Sequence, residues 1–212
     1  MARFFDTRAT GYDEHMRHSV TDFERYYDAV AAPIIPSGEA VDVLDLGCGT
    51  GLEIRGILGK VPNARFKCID MSAKMLEVLV RRYGAYRDQI EVSCGSYLET
   101  DFGRCSYDYV VSVMTMHHFE YNVKRDLYRR IRQSLKPGGL YIEGDYVVTP
   151  DKERRLLCKH KGLLPDQSDR KLYHIDIPFS LQTQRELFRE AGFGDFELIW
   201  RRGEQLVYAV RS

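Results

Sequence analysis

The sequence predicts an α/β fold in which helices cover both faces of a mostly parallel, seven-stranded sheet, a doubly wound arrangement. The stretch VLDLGCGTG, residues 43–51, is typical of a buried parallel strand that ends in a glycine turn. Short apolar segments then alternate with amphipathic helical patterns as far as residue 148. Two final apolar segments, separated by Arg202-Gly203-Glu204, predict a C-terminal antiparallel hairpin.

The spacing of the glycines in this turn argues against two common classes of nucleotide-binding loop. Gly47, Gly49 and Gly51 stand at alternate positions, so the backbone can adopt positive φ angles and approach a ligand closely. A dinucleotide fold would place its third glycine one residue later, in the pattern G-x-G-x-x-G. A phosphate-binding P-loop would need a Lys-Ser/Thr pair, which the turn lacks.

The turn resembles motif I of the class I S-adenosylmethionine-dependent methyltransferases. The resemblance implies S-adenosylmethionine as the cofactor and S-adenosylhomocysteine as the product. It also implies that the glycines and Cys48 lie against the methionine part of the cofactor, which the strand-end acid Asp45 helps to orient. The sequences LKPGG at residues 135–139 and REAGF at residues 189–193 are similar to later motifs of this family.

The ends of the second and third predicted strands supply further candidates for cofactor binding. Asp70 ends the second strand, and an acid at this position is placed to accept hydrogen bonds from a ribose diol. Met71 follows and can lie against the adenine face. Ser96 and Tyr97 follow the third strand, where the family most often has Gly-Asp. We therefore expect Ser96 to contact the adenine edge or to be structural, and Tyr97 to flank the ring.

The segment after the fourth predicted strand, residues 114–119, is expected to face the methyl acceptor. Met114 is a candidate cofactor contact. His118 is a candidate general base, because an imidazole titrates near neutral pH. In an alternative interpretation His117 and His118 support the fold, since the resembling family often has His-His here.

No metal is expected at these histidines. Adjacent histidines on a turn are expected to point apart, and no carboxylate lies at ligand spacing in the sequence. The metal-dependent catechol-type subfamily is also disfavoured, because Met114 and Thr115 occupy the position of its acid.

The chain is long enough for one domain with appendages. The aromatic-rich N-terminus predicts one or two amphipathic helices, and the resemblance implies that they cover the cofactor mouth with Tyr12 and Arg17. A helix that is merely packed on the domain is the alternative. The predicted parts are an N-terminal helical lid (1–35), a cofactor-binding core (36–148), an insertion over the acceptor site (149–179) and a C-terminal helix with the hairpin (180–212).

The composition bears on partners and location. There are 31 basic and 31 acidic residues, so no overall field attracts nucleic acid or an anionic membrane; RNA is a conceivable partner that nothing indicates. No apolar run could span a bilayer, and the start of the chain lacks the apolar stretch of a signal peptide. The five cysteines include no C-x-x-C pair. We expect a cytoplasmic monomer or homodimer without a membrane partner.

The resemblance implies in-line methyl transfer to an unidentified, small-molecule acceptor. Two alternatives stay open. Residues 9–20, ATGYDEHMRHSV, are similar to the N-terminal sequence of the carboxy-S-adenosylmethionine synthases. A cofactor-processing or tRNA-modification enzyme of that kind would need a cation, Arg201 or Arg202, beside the methyl position. A non-catalytic S-adenosylmethionine-binding protein would keep the cofactor site without turnover.

Overall fold

The computed structural model describes residues 2–162 and 176–212. Its centre is a seven-stranded sheet with the strand order β3-β2-β1-β4-β5-β7-β6. The strands are β1 (Asp42–Leu46), β2 (Arg65–Asp70), β3 (Ile90–Cys94), β4 (Tyr107–Val113), β5 (Leu135–Tyr146), β6 (Phe196–Arg202) and β7 (Gln205–Arg211). Strands β1 to β5 pair in parallel, and β7 is antiparallel to both β5 and β6. The predicted sheet and its C-terminal hairpin are confirmed.

Helices flank both faces of the sheet. In the described ranges they are α1 (Ala2–Asp6), α2 (Tyr12–Ser19), α3 (Phe23–Ala31), α4 (Ile54–Lys60), α5 (Ala73–Arg82), α6 (Tyr121–Ser134), α7 (Pro150–Gly162) and α8 (Leu181–Ala191). Two helices have serine N-caps: Ser72 Oγ accepts a hydrogen bond from Met75 N at 3.2 Å, and Ser180 Oγ accepts one from Thr183 N at 3.3 Å. In residues 2–162 and 176–212, no helix combines the length and apolarity needed to cross a bilayer.

One element prediction was wrong in detail. The N-terminal segment forms three helices rather than one or two, and Asp22, in a left-handed conformation (φ 52°), separates α2 from α3. Strand β5 begins at Leu135, the first residue of the LKPGG motif. Its first residue pairs with Tyr107 before an irregularity in the β4–β5 register, so LKPGG is extended rather than a simple stop after α6.

Alternation along the strands divides the core between the two faces. Val43 packs in a cluster with α3, α4 and α5 that includes Tyr26 and Ile57. Leu44 faces the other way, into a cluster with α6 and α8 that includes Tyr128. Because strand side chains alternate between the two faces, Asp45 belongs to the same face as Val43.

Strand order reverses between β1 and β4, so the carboxyl ends of the parallel strands open a crevice there. Glu143, near the carboxyl end of β5, does not reach this crevice. It is fully buried on the other face, where it accepts hydrogen bonds from Tyr128 at 2.6 Å, Tyr141 at 2.7 Å and Tyr208. This acid stabilises the packing of α6 on the sheet, since Lys124 Nζ also lies 3.4 Å from it.

Candidate functional site

A cavity of about 250 Å³ lies at the carboxyl ends of β1, β2 and β4. It is lined by Phe5, Tyr12, Gly47, Gly49, Asp70, Met71, Met75, Ser96, Tyr97, Leu98, Met114, Thr115, His118 and Phe119. Nine of these were site candidates by sequence: Tyr12, Gly47, Gly49, Asp70, Met71, Ser96, Tyr97, Met114 and His118. The structure therefore brings most of the candidates to one cavity.

The glycine turn forms one wall, and its first glycine cannot carry a side chain. Gly47 has a φ of +72°, and a Cβ there would lie 2.7 Å from Thr115 Oγ1. Gly49 has a φ of +50° and donates its N–H to Asp70 Oδ2 at 2.9 Å. Gly51 (φ +73°) does not line the cavity; a Cβ there would meet Ile54 and Tyr83 at 3.0 Å. Its role is local, in turning the chain into α4.

Asp70 is the acid at the cavity wall. Its Oδ2 accepts from Gly49 N, and its Oδ1 accepts from Ser72 N at 2.8 Å. Burial raises the pKa of Asp70 above its ordinary value, while these two backbone donors oppose the rise. Each carboxylate oxygen has a second lone pair, so the group can accept two further hydrogen bonds from a ligand.

Asp45, the strand-end acid, does not line the cavity. Its side chain is fully buried beneath the glycine turn, beside the buried Glu53 of the α4 entry. Burial, followed by the charge of Glu53, raises the pKa of Asp45 well above its ordinary range, and burial also raises the pKa of Glu53. Within the described residues, no N–H or hydroxyl group donates to either Asp45 oxygen or to Glu53 Oε1, and the two carboxyls lie close enough for a hydrogen bond between them when one is protonated.

Cys48 is also buried rather than exposed to the main cavity. It lines a much smaller cavity of about 10 Å³ on the other side of the turn. Gly47, Gly49, Tyr12 and Glu53 line the same small space. Gly47, Gly49 and Tyr12 therefore border both the main cavity and the small space that Glu53 lines.

The part of the cavity wall that follows β2 and β3 combines apolar and polar side chains. Met71 and Ser96 line it as expected, together with Met75 and Leu98. Tyr97 also lines it, and its hydroxyl pairs with Thr115 Oγ1 at 2.7 Å. These residues leave apolar faces and a few hydroxyls, which suits a flat heteroaromatic ring.

The N-terminal helices lie over the glycine turn. Tyr12 and Phe5 line the cavity. Asp13 holds α2 in place, because its Oδ1 accepts from Thr50 Oγ1 at 2.6 Å and its Oδ2 forms an ion pair with Arg82. Asp6 holds α1 through a 2.6 Å hydrogen bond from Ser72 Oγ.

Arg17 does not line the cavity. It forms an ion pair with Glu24, and its guanidinium lies over the Phe23 ring, 4.5 Å from the centroid. The physical reason is helical geometry: five residues separate Tyr12 from Arg17, which places their side chains about 140° apart around α2.

A polar corner lies at the part of the cavity wall formed by His118, and we define it as His117, His118, Asp145 and Asp176. Met114, which precedes it, has a strained φ of +52°, as is frequent for residues at functional sites. His117 Nδ1 lies 2.7 Å from Asp145 Oδ1, and the His117 backbone N–H donates to Asp145 Oδ2 at 3.0 Å.

Asp145 is ionised in this arrangement. Burial opposes ionisation, but the His117 ring and Lys124 together hold the pKa of Asp145 below its ordinary value. An ionised carboxylate only accepts hydrogen bonds, so His117 Nδ1 carries a hydrogen and donates it to Asp145.

Asp176 brings a second carboxylate to the histidines. Its Oδ1 lies 3.4 Å from His118 Nδ1 and 3.6 Å from His117 Nε2. The two ring centroids are 4.0 Å apart. The expectation that the histidines point apart and lack a carboxylate is therefore wrong.

Six residues of the site were not predicted from the sequence. Phe5, Met75, Leu98, Thr115 and Phe119 line the cavity, and Asp176 faces the histidines. Apolar lining residues carry no signal that separates them from core residues. Thr115 directly follows the candidate Met114 and could have been included on that ground.

Comparisons with known proteins agree with this geometry. A protein-family model described as a methyltransferase domain matches residues 43–139. The carboxy-S-adenosyl-L-methionine synthase of Campylobacter curvus is 22% identical over 97% of the chain and 92% of that protein. The malonyl-(acyl-carrier protein) O-methyltransferase of Acetivibrio thermocellus is 31% identical, over 50% of the chain and 36% of that protein. A solved DhpI–SAH complex shares the fold, with a TM-score of 0.74 and 19% identity over 99% of the chain and 94% of that protein.

The family match begins at the strand that carries the glycine turn. The chain contains a methyltransferase domain and has the methyltransferase fold.

Proposed function

We propose that the cavity binds S-adenosylmethionine with its ribose on Asp70, its adenine beside Met71, Ser96 and Tyr97, and its methionine part against the glycine turn. The fit is supported by the buried carboxyl pair of Asp45 and Glu53, in which both Asp45 oxygens and Glu53 Oε1 have no donor among the described residues. A ligand ammonium group supplies three N–H donors and a positive charge, which are what this pair lacks. Asp45 then acts on the cofactor from beneath the turn, not from the cavity wall.

The cavity favours a sulfonium over a carboxylated sulfonium. None of the described lining residues is Arg or Lys, and the ionisable ones are Asp70, His118, Tyr12 and Tyr97. Burial raises the pKa of Tyr12, and the charges of Glu53 and Asp70 add to the rise, so its neutral ring is available to a cation. A cation–π contact of this kind contributes about 0.5–2 kcal/mol.

The cations that a carboxylated cofactor would need lie elsewhere. Arg201 Nε donates to Gly203 O at 3.2 Å in the hairpin turn, and Arg202 Nε lies 3.5 Å from Asp22. The likeness to the Campylobacter curvus synthase therefore keeps cofactor processing as the second candidate function. The charge of the described lining residues supports methyl transfer as the first.

The acceptor is a small molecule that enters beside His118, whose side chain is only 6% exposed and lines the cavity. S-adenosylmethionine supplies a methyl carbon on a sulfonium, which an aligned acceptor atom attacks while the C–S bond breaks. An oxygen or nitrogen acceptor releases a proton as the new bond forms, and the His118 imidazole can take it. Asp176, 3.4 Å away, stabilises the imidazolium that results.

The observation that carries this proposal is that His118 lines the same cavity as Gly47, Gly49 and Asp70. The candidate general base and the residues proposed to bind the cofactor therefore line one cavity. The N-terminal helices α1 and α2 act as a lid, since Phe5 and Tyr12 complete the lining and the Asp13–Arg82 pair ties α2 to α5.

Calorimetric titration with S-adenosylhomocysteine tests the cofactor site. We expect one site per chain, and a roughly 10- to 100-fold weaker Kd for Asp70→Asn, because hydrogen bonds to a charged group contribute about 1.5–3 kcal/mol. Asp88→Asn is the matched control, since that side chain is 94% exposed and far from the cavity wall. Equal affinity of wild type and Asp70→Asn would remove Asp70 from the site.

A native mass spectrum of the purified chain separates the two functions. A bound mass equal to S-adenosylmethionine or S-adenosylhomocysteine supports the methyltransferase, whereas a ligand heavier by one carboxyl group supports cofactor processing. Turnover of no acceptor in a broad screen, despite tight cofactor binding, would support a non-catalytic binding protein instead.

A further inference from the structure

The polar corner contains three side chains that bear the preferred ligand atoms of divalent transition metals. They are His117 Nε2, His118 Nδ1 and an Asp176 carboxylate oxygen, and all three atoms lie within 4.8 Å of one another. They come from two separate parts of the chain, the turn after β4 and the segment before α8. Two imidazoles and one carboxylate form a donor set that suits Zn²⁺, Fe²⁺ or Co²⁺.

The separations fit a shared ion. In a tetrahedral site with bonds of about 2.0–2.1 Å, ligand atoms lie about 3.3 Å apart. Asp176 Oδ1 is 3.4 Å from His118 Nδ1 and 3.6 Å from His117 Nε2, so two of the three separations already have this size. The third closes with a small rotation of a ring.

Neighbouring residues hold the His117 ring in an orientation that suits metal binding. Asp145 accepts the Nδ1 hydrogen of His117 at 2.7 Å and its backbone N–H at 3.0 Å, which fixes the ring so that Nε2 faces Asp176. A carboxylate behind a ligating histidine is the usual outer partner at metal sites. Tyr146 forms a hydrogen bond with Asp176, and its ring centroid lies 4.6 Å from that of His117.

The geometry points to a divalent transition-metal site formed by His117, His118 and Asp176, with one coordination position open toward the cavity. His118 lines the cavity, so a methyl acceptor there can place an oxygen on that open position. The metal then lowers the pKa of the acceptor hydroxyl, whose proton passes to solvent before the oxygen attacks the methyl carbon. In this metal-loaded chain the ion replaces the free His118 imidazole as the activating group.

The position of this site beside the acceptor rests on the proposed function, but metal uptake does not. The test therefore uses the full chain, freed of metal, with Co²⁺ as the probe and without cofactor or acceptor. Visible Co²⁺ absorption reports low-coordinate binding. The absence of thiolate charge transfer separates this site from binding at the exposed Cys94, Cys105 and Cys158.

We expect one Co²⁺ per chain and at least about 10-fold weaker binding in Asp176→Asn, by analogy with the loss of conserved partners at metal sites. Asp176 is 41% exposed, so this variant is expected to fold. His15→Gln, which removes an exposed imidazole on α2, is the matched control and should bind as the wild type does. His118→Gln should behave as Asp176→Asn does.

The inference is overturned if the wild-type chain shows no low-coordinate Co²⁺ spectrum, or if Asp176→Asn binds Co²⁺ as tightly as His15→Gln. Failure of S-adenosylhomocysteine binding in a chain that still binds Co²⁺ would reject the proposed cofactor site and leave the metal site standing. Binding of S-adenosylhomocysteine without Co²⁺ uptake would reject the metal site alone.

Discussion

Asp45→Asn should stabilise the ligand-free protein and weaken its cofactor binding at the same time. Asp45 is fully buried and Glu53 is 4% exposed, so the wild-type chain buries two carboxyls that compete for one proton. An asparagine amide has nearly the same shape and always donates an N–H. Its hydrogen bond to the Glu53 carboxylate should contribute about 1.5–3 kcal/mol to the free energy of unfolding.

The stability difference between Asp45→Asn and the wild type should change with pH in one direction. Burial, and then the Glu53 charge, raise the pKa of Asp45 in the folded chain above its ordinary 3.8, and burial raises that of Glu53 above its ordinary 4.5. The contribution of these protonated groups to stability is complete below the ordinary values and is lost as pH rises through the folded-state values. The advantage of Asp45→Asn over the wild type should therefore grow from about pH 5 to about pH 8.

Urea unfolding of both proteins without ligand, at these two pH values, measures the stability difference. Calorimetry with S-adenosylhomocysteine should show a roughly 10- to 100-fold loss of affinity in the variant, because the ligand ammonium loses a charged partner. Asp88→Asn should change neither quantity, since Asp88 is exposed. Destabilisation of Asp45→Asn by the same amount at both pH values, with unchanged affinity, would refute the shared-proton account.

Three further predictions concern other parts of the site. Gly47→Ala should lower the melting temperature and the cofactor affinity together, because the new Cβ meets Thr115 at 2.7 Å and the φ angle is +72°. Gly59→Ala is the control in a thermal melt, since Gly59 has open space around it and no positive φ. Deletion of residues 1–18 should weaken S-adenosylhomocysteine binding while the far-ultraviolet circular dichroism keeps its strand signal; equal affinity of the truncated chain would reject the lid. His117→Ala should lower the melting temperature, since the buried Asp145 carboxylate keeps its backbone donors but loses the imidazole hydrogen bond, at a cost of about 1–3 kcal/mol; a melt identical to the wild type would contradict that role.

The sheet and most of the cavity wall could be predicted because the signals are local. The glycine turn requires positive φ angles within five residues, and all three glycines adopt them. The N-caps at Ser72 and Ser180 depend only on the next three residues. The start of β5 is harder to predict, because Pro137 and Gly138 are typical of residues that follow a helix but here belong to the strand.

The polar corner could not be predicted, because it depends on how distant segments return to one place. Asp176 reaches the histidines from the segment before α8, and Ile177 N donates to His117 O at 2.6 Å to hold that segment there. No spacing rule in the sequence links these residues. The predicted basic insertion lies partly within α7 and partly outside the described residues, so its role over the acceptor stays a prediction.

The most direct test of the cofactor account is a crystal structure of the chain grown with S-adenosylhomocysteine. We predict the ribose hydroxyls on the Asp70 carboxylate, the adenine between Met71 and Ser96, and the ligand ammonium over the Asp45–Glu53 pair at the glycine turn. The account would be contradicted by a ligand bound outside this cavity, or by one whose ribose makes no contact with Asp70.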